Sequence, residues 1–393
     1  MREFLEGSQA VAKAVSLCRP GVIAAYPITP QTHIPEELSK MVAEGILDSQ
    51  FVNVESEHSA ASLVLGAVAS GVRAYTATSS QGLLLMAEVL FNIAGLRLPV
   101  ILTCANRAIS SPINIWNDQQ DSVSLRDSGW IQFYVENIQE VVDFHFIAYR
   151  LAEDKNVMLP AMVCMDGYIL THGLEVVDIP TQEEVDKFLP KYQPPYKLDV
   201  ENPLTLGVLA DSEYYMETRF AIQKTHQEIL KILPSIVVEF KNIFGRNYSD
   251  GLIECYKTED AEKVIVAMGS VCGTIKEVVD ALRKRGKKVG LLKIITYRPF
   301  PRNKIYEVLK DVPKVAVLDR ALSLGAEAPL YSEIKSIFFG KKRTPKLMRS
   351  FIGGLGGRDI TLDSIETIFK KLSLKEKEEE FIDLKPELLK EKL

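Results

Sequence analysis

Residues 51–82 read FVNVESEHSAASLVLGAVASGVRAYTATSSQG. An apolar run, Phe51–Val54, leads through the polar turn Glu55-Ser56-Glu57-His58 into a helical segment, Glu57–Ser70, rich in Ala, Gly and Ser. A second apolar run, Arg73–Thr78, ends in a second polar turn, Ser79-Ser80-Gln81-Gly82. Strand, helix and strand in this order build a parallel sheet covered on both faces. The small residues of the helix suit close packing against a sheet or another subunit. Outward from this unit the rhythm repeats: further strands are expected at Gly21–Ala25, Pro99–Cys104 and Ala161–Met165, and helices at Pro35–Glu44, Gly82–Ala94 and Gln139–Ala152.

The expected fold class is therefore α/β, with a first parallel-sheet domain over residues 1–180. In 181–259 the texture changes: Pro190, Pro194, Pro195 and Pro203 stand among charges, which reads as an extended connector. Ser212–Phe244 then reads as a helical arm. A second α/β domain is expected over 260–371, from the strand KVIVAMG through the helix that stops at Gly286 to the strand VAVLDRA. Its GSVCGT and GGLGGRD segments lack the full spacing of a dinucleotide or P-loop motif and are expected to form tight turns. Residues 372–393 form a mixed-charge tail, expected to be solvated or partly helical.

At 393 residues, 47% of them hydrophobic, the chain has material for two cores. A formal charge of -5 excludes the broad basic field that holds nucleic acid or an anionic membrane. Glu3 and Glu6 in a start without a long apolar core argue against a secretory signal. Apolar stretches such as Leu63–Val72 are far shorter than the ~18 residues a membrane span needs. A cytoplasmic protein is expected. The five cysteines, Cys18, Cys104, Cys164, Cys255 and Cys272, stand singly with no CxxC pair, so each is expected to be a small buried hydrophobe. Any iron-sulfur cluster must then sit on another chain.

Polar residues collect just past the strands: Tyr26-Pro27-Ile28-Thr29-Pro30, Glu55-Ser56-Glu57-His58, Ser79-Ser80-Gln81-Gly82 and Ala105-Asn106-Arg107. In a parallel sheet these loops share one edge, where ligands of open α/β sheets bind. Two prolines make the first loop rigid. Each residue alone has an ordinary reading: Glu57 complements a helix dipole, Ser79 and Ser80 cap a helix, Arg107 joins a surface ion pair, and His58 packs. Together an acid, a hydroxyl and a guanidinium on one rim suit a small carboxylic acid, with Arg107 on the carboxylate and Thr29 giving a directional hydrogen bond. Glu57 is left for acid-base work or for a cofactor nitrogen.

With YPITP, VESEHSA, TSSQGLLLM, the NR of CANRA and the DQQD that follows in one ordered series, the chain resembles the alpha subunit of 2-oxoacid:ferredoxin oxidoreductases, most closely those acting on pyruvate. The resemblance extends through MGS, RPFP, VLDRA and GGLGGRD. It implies a pyrimidine-binding-type domain of thiamine diphosphate enzymes followed by a transketolase C-terminal-like domain. It also implies CoA-dependent oxidative decarboxylation of pyruvate, reversible, with ferredoxin as electron acceptor. By the same resemblance Glu57 meets the aminopyrimidine ring of thiamine diphosphate, Thr29 contacts the substrate and Arg107 holds its carboxylate. The diphosphate and magnesium signature of thiamine enzymes is missing: Met165-Asp166-Gly167 lacks its first glycine. The resemblance thus places Mg2+ and diphosphate on a beta subunit and the [4Fe-4S] clusters on other subunits, with gamma and ferredoxin-like delta subunits as further partners. Another 2-oxoacid, such as 2-oxoisovalerate or 2-oxoglutarate, and a non-catalytic scaffold remain the alternatives.

Overall fold

A computed structural model describes residues 1–374 and 378–389. The chain divides into two units, the first made of Met1–Glu254 with Ile295–Pro301, the second of Cys255–Ile294 with the residues from Arg302 onward.

The first unit begins with β1 (Arg2–Glu6), α1 (Gly7–Cys18), β2 (Val22–Ala25), α2 (His33–Ala43), β3 (Gln50–Asn53), α3 (Glu57–Ala69) and β4 (Ala74–Thr78). It continues with α4 (Ser80–Leu85), α5 (Ala87–Gly95), β5 (Ile101–Asn106), α6 (Gln120–Ser124), β6 (Ile131–Tyr134), α7 (Ile138–Ala152), β7 (Ala161–Asp166), β8 (Leu174–Asp178), α8 (Gln182–Phe188) and α9 (Tyr215–Phe244). The chain crosses to the second unit within β9 (Ile253–Tyr256), which precedes β10 (Lys263–Ala267), α10 (Val271–Lys284) and β11 (Val289–Ile294). It returns for β12 (Thr296–Arg298) and ends in the second unit with α11 (Arg302–Leu309), β13 (Lys314–Asp319), α12 (Pro329–Ile337), β14 (Leu347–Ile352), α13 (Leu362–Lys371) and β15 (Glu379–Phe381).

The first unit's seven-stranded sheet runs β12-β6-β7-β5-β4-β2-β3. All its pairs are parallel except that of β12 with β6. Every residue of β4, β5 and β7 is buried, as expected of central strands covered on both faces. Tyr75 and Ala77 of β4 enter a core built with α1, α7 and α9. The pleat turns Ala74, Thr76 and Thr78 to the opposite face, where α3 packs on β2 and β4. The Ala-rich sequence of α3 serves that approach, and Ser56 starts the helix by accepting the Ser59 N–H on its hydroxyl at 3.2 Å.

Several elements depart from the sequence reading. The helix expected over Gly82–Ala94 is two, α4 and α5, divided at Met86. The first unit also contains β6, which the alternation of longer segments concealed, and a two-stranded antiparallel ribbon of β1 and β8. Within the proline-rich connector, Thr181 and Glu184 form a capping box that starts α8. The 30-residue α9 does not stand apart as an arm: Ile222, Ile229, Leu233, Ile236, Val237 and Phe240, at helical spacing, enter the first unit's core.

The second unit carries a six-stranded sheet in the order β15-β14-β13-β10-β11-β9. Gly269, Gly354, Gly356 and Gly357 all have positive φ, so GSVCGT and GGLGGRD form glycine-dependent turns. Part of the charged tail is a strand: β15 pairs in parallel with β14, with Ser350 opposite Glu379. The rest of that tail reading falls partly on residues 375–377 and 390–393, outside the described residues. No cysteine is disulfide-bonded and four are buried, but Cys255, on the edge strand β9, is exposed, contrary to expectation. Among the described residues no helix is long and apolar enough to cross a membrane.

Candidate functional site

The carboxyl ends of β2, β3, β4, β5 and β7 lie along one edge of the parallel sheet, and hydrogen bonds tie the loops that leave them. Ser79, just past β4, donates its hydroxyl to the Ala105 carbonyl of β5 at 2.6 Å. Gly167, just past β7, donates its N–H to the Asn106 carbonyl at 3.0 Å. A side chain at Gly167 would strike that carbonyl at 2.5 Å and the Pro30 ring at 2.6 Å, so the glycine of Met165-Asp166-Gly167 serves close backbone approach.

The YPITP loop past β2 is anchored from inside. Gln31 is buried, gives its amide to the Ala77 carbonyl at 2.8 Å and accepts the Ile28 N–H at 3.1 Å. Thr29 stands exposed between these anchors and its hydroxyl has no hydrogen-bond partner among the described residues. Its carbonyl accepts from Arg107 Nη1 at 2.8 Å.

Arg107 is 6% exposed, yet among the described residues no carboxylate pairs with its guanidinium. Nε donates to the Asn114 carbonyl at 2.9 Å and Nη1 to Thr29, both neutral acceptors. Burial draws its pKa down from the usual guanidinium range. A desolvated cation satisfied only by carbonyls is suited to receive an anion.

Glu57 opens α3 and is 6% exposed. Its carboxylate forms no hydrogen bond or ion pair among the described residues. A Cβ built on Gly82 would lie 2.5 Å from Glu57 Oε1 and 2.6 Å from Thr78 Oγ1, so these three residues meet at the end of β4. Thr78 Oγ1 is itself buried without a partner among the described residues. His58, expected to pack, is exposed beside Glu57, because the helix turns it away from the sheet. The structure thus joins Thr29 directly to Arg107, and Glu57 to Thr78 and Gly82. Glu57 forms no hydrogen bond or ion pair with Thr29 or Arg107.

Two features of the site were given no role from the sequence. The Asn114 carbonyl that holds Arg107 belongs to an irregular segment, and backbone acceptors leave no mark in residue type. Asp121, the last residue of DQQD, is fully buried and accepts from Ser80, Asn106 and Arg107 at the ends of β4 and β5 and from its neighbour Ser122, although it lies 14 residues from Arg107. Burial raises its pKa to about 6, against the lowering by those hydrogen bonds. Separately, Glu6, His33 and His172 bring one ligand atom each within 4.8 Å of the others, with His33 Nδ1 already 2.8 Å from Glu6 Oε1.

A family model described as pyruvate flavodoxin/ferredoxin oxidoreductase, thiamine diphosphate-binding, matches residues 13–236. A second, described as pyruvate:ferredoxin oxidoreductase core domain II, matches residues 261–365. The chain is 50% identical over 385 residues to the pyruvate synthase subunit PorA of Methanothermobacter thermautotrophicus, covering 98% of this chain and 99% of that one. It is 45% identical over 369 residues to the ketoisovalerate oxidoreductase subunit VorA of Pyrococcus abyssi, covering 94% and 92%. Among solved structures, it resembles a 2-oxoglutarate:ferredoxin oxidoreductase from Magnetococcus marinus with 2-oxoglutarate, coenzyme A and succinyl-CoA bound. That likeness has a TM-score of 0.73 at 19% identity over 95% of this chain and 65% of that one, and it concerns the fold.

Proposed function

Because the chain belongs to the pyruvate:ferredoxin oxidoreductase family, we propose that its strand-end edge is one wall of a thiamine diphosphate site in a multi-subunit, CoA-acylating 2-oxoacid oxidoreductase. The reaction is the conversion of pyruvate, CoA and oxidised ferredoxin to acetyl-CoA, carbon dioxide and reduced ferredoxin, in either direction. The observation that carries the reading is the buried Glu57 carboxylate, without a partner among the described residues, at the start of α3.

The residues present fit the aminopyrimidine part of the cofactor. An unpartnered carboxylate accepts or holds a proton at a ring nitrogen, and the absence of a side chain on Gly82 leaves room beside the Glu57 carboxylate. When bound, thiamine diphosphate supplies the electron sink that decarboxylation of a 2-oxoacid requires. Arg107 binds the substrate carboxylate with the edge of its guanidinium that the Thr29 and Asn114 carbonyls do not use. The Thr29 hydroxyl, on its anchored loop, donates to a substrate oxygen.

The chain lacks a GDG signature and a cysteine cluster. We therefore assign Mg2+ and the diphosphate to a beta subunit, and [4Fe-4S] clusters to further subunits that pass electrons to ferredoxin. The isolated chain is then inactive. Arg107 reads only the carboxylate common to all 2-oxoacids, and the likeness to a ketoisovalerate oxidoreductase subunit favours branched 2-oxoacids as the second reading.

The test is to purify the complex with its companion chains and measure CoA-dependent ferredoxin reduction on pyruvate, 2-oxoisovalerate and 2-oxoglutarate. Highest kcat/KM on pyruvate is expected. A complex that assembles but reduces ferredoxin with none of them would overturn the catalytic reading in favour of a scaffold.

A further inference from the structure

DQQD ends on a carboxylate to which the proposed chemistry gives no task. Asp121 is fully buried on α6, and among the described residues it forms no ion pair. Its Oδ2 accepts the backbone N–H of Ser80 at 2.9 Å and of Arg107 at 3.0 Å, with the Cys104 thiol at 3.6 Å. Its Oδ1 accepts the Asn106 side-chain amide at 2.7 Å and the Ser122 N–H at 2.8 Å. An ionised carboxylate has about four acceptor sites, enough for the four N–H donors, whereas an amide or hydroxyl does not.

The donors come from distinct elements. Ser80 opens α4 just past β4, while Asn106 closes β5 and Arg107 follows it. One carboxylate therefore pins the end of β4 to the end of β5. Ser80, held in a left-handed conformation at φ 51°, extends the clamp by donating its hydroxyl to the Ala108 carbonyl at 2.5 Å. The backbone on both sides of Arg107 is thus fixed, the N–H of Arg107 by Asp121 and the carbonyl of Ala108 by Ser80. From that fixed backbone the guanidinium reaches Thr29 and Asn114.

We propose that Asp121 is a positioning residue that acts through Arg107, setting where the substrate carboxylate is held by locking the backbone from which the guanidinium extends. The inference rests on the reading of Arg107 as the carboxylate binder. An isosteric amide cannot replace the clamp, because Asp121→Asn puts an NH2 group against either the Ser80 and Arg107 N–H groups or the Asn106 and Ser122 donors.

The experiment is a double-mutant cycle in the assembled complex with Asp121→Asn, Arg107→Ala and both together, reading KM for pyruvate and KM for CoA separately. Asp121→Asn is expected to raise KM for pyruvate about tenfold with KM for CoA unchanged, an effect on the scale of a small misplacement of a binding group. In the Arg107→Ala background that rise should vanish. Equal rises in both KM values, or a full tenfold rise that persists without Arg107, would make Asp121 a general structural residue and overturn the proposal. An Arg107→Ala complex with unchanged KM for pyruvate would overturn the reading of Arg107 itself, a different failure. If Asp121→Asn does not assemble, Asp121→Glu, which keeps the charge but shifts it by one methylene, is carried through the same cycle with the same deciding outcomes.

Discussion

Glu57 and Asp319 occupy comparable places in the two units. Each is a buried acid, 6% and 3% exposed, at the carboxyl side of a parallel strand and beside the start of a helix. Asp319 is fully employed: its two oxygens accept the N–H groups of Leu330 and Tyr331 in the first turn of α12 at 2.8 and 3.0 Å. Glu57 starts α3 itself, while Ser56 does the capping, and its carboxylate is left with no partner among the described residues. The same architecture thus spends one carboxylate on a helix end and keeps the other in reserve, which separates a structural acid from a candidate functional one.

The sharpest attempt to break this contrast is Glu57→Gln. The complex should assemble, and 2-oxoacid-dependent ferredoxin reduction should fall by about 10²- to 10⁴-fold, the range expected for a lost acid-base group. Turnover at the original rate would return Glu57 to the same structural class as Asp319. Next in size, Arg107→Ala should raise KM for pyruvate by about 10- to 100-fold, as for a lost hydrogen bond to a charged group, with KM for CoA unaffected. Matching changes in both constants would deny Arg107 a substrate contact.

Gly82→Ala tests whether the space beside Glu57 matters. Alanine favours a helix over glycine by about 1 kcal/mol, yet here its methyl would crowd Glu57 and Thr78. A loss of turnover of about tenfold is expected, on the scale of a misplaced catalytic group, and full activity would show that the crevice tolerates filling.

The smallest effect belongs to Asp319. Burial pushes its pKa up to about 7, outweighing the lowering by the Leu330 and Tyr331 N–H groups. Since the folded pKa lies above the unfolded value of about 4, the folded state favours the proton. The stability this contributes is present below about pH 4 and lost as pH rises through about 7. Asp319→Asn should flatten that pH dependence in thermal unfolding and cost about 1 kcal/mol through the capping bonds, leaving turnover per assembled complex unchanged. A pH dependence identical to that of the unsubstituted chain would remove Asp319 as its source.

Much of the first sheet was legible because a strand covered on both faces reads as a short, continuous apolar run. The expected strands at Gly21–Ala25, Phe51–Val54, Arg73–Thr78, Pro99–Cys104 and Ala161–Met165 coincide with β2, β3, β4, β5 and β7 to within two residues at each end. What escaped was β6, a four-residue run, the three-residue β12, and the β1–β8 ribbon, whose half-exposed residues carry no continuous apolar signal. Met86 likewise carries no mark of the break between α4 and α5, since neither glycine nor proline makes it.

By itself the sequence determined the βαβ alternation, the single edge on which four polar loops must gather, and the ordered motifs that place the chain in its family. Those follow from local periodicity and from the chirality of parallel connections, which do not depend on distant contacts. Only the tertiary structure decided which polar groups are used up and which are left over. Among the described residues Arg107 found carbonyls instead of an acid, Glu57 found no partner, and Asp121 became the point where two strand ends meet. Hydrogen-bond satisfaction is settled between residues far apart in the chain, and in a buried site it is the unsatisfied group that remains free for chemistry.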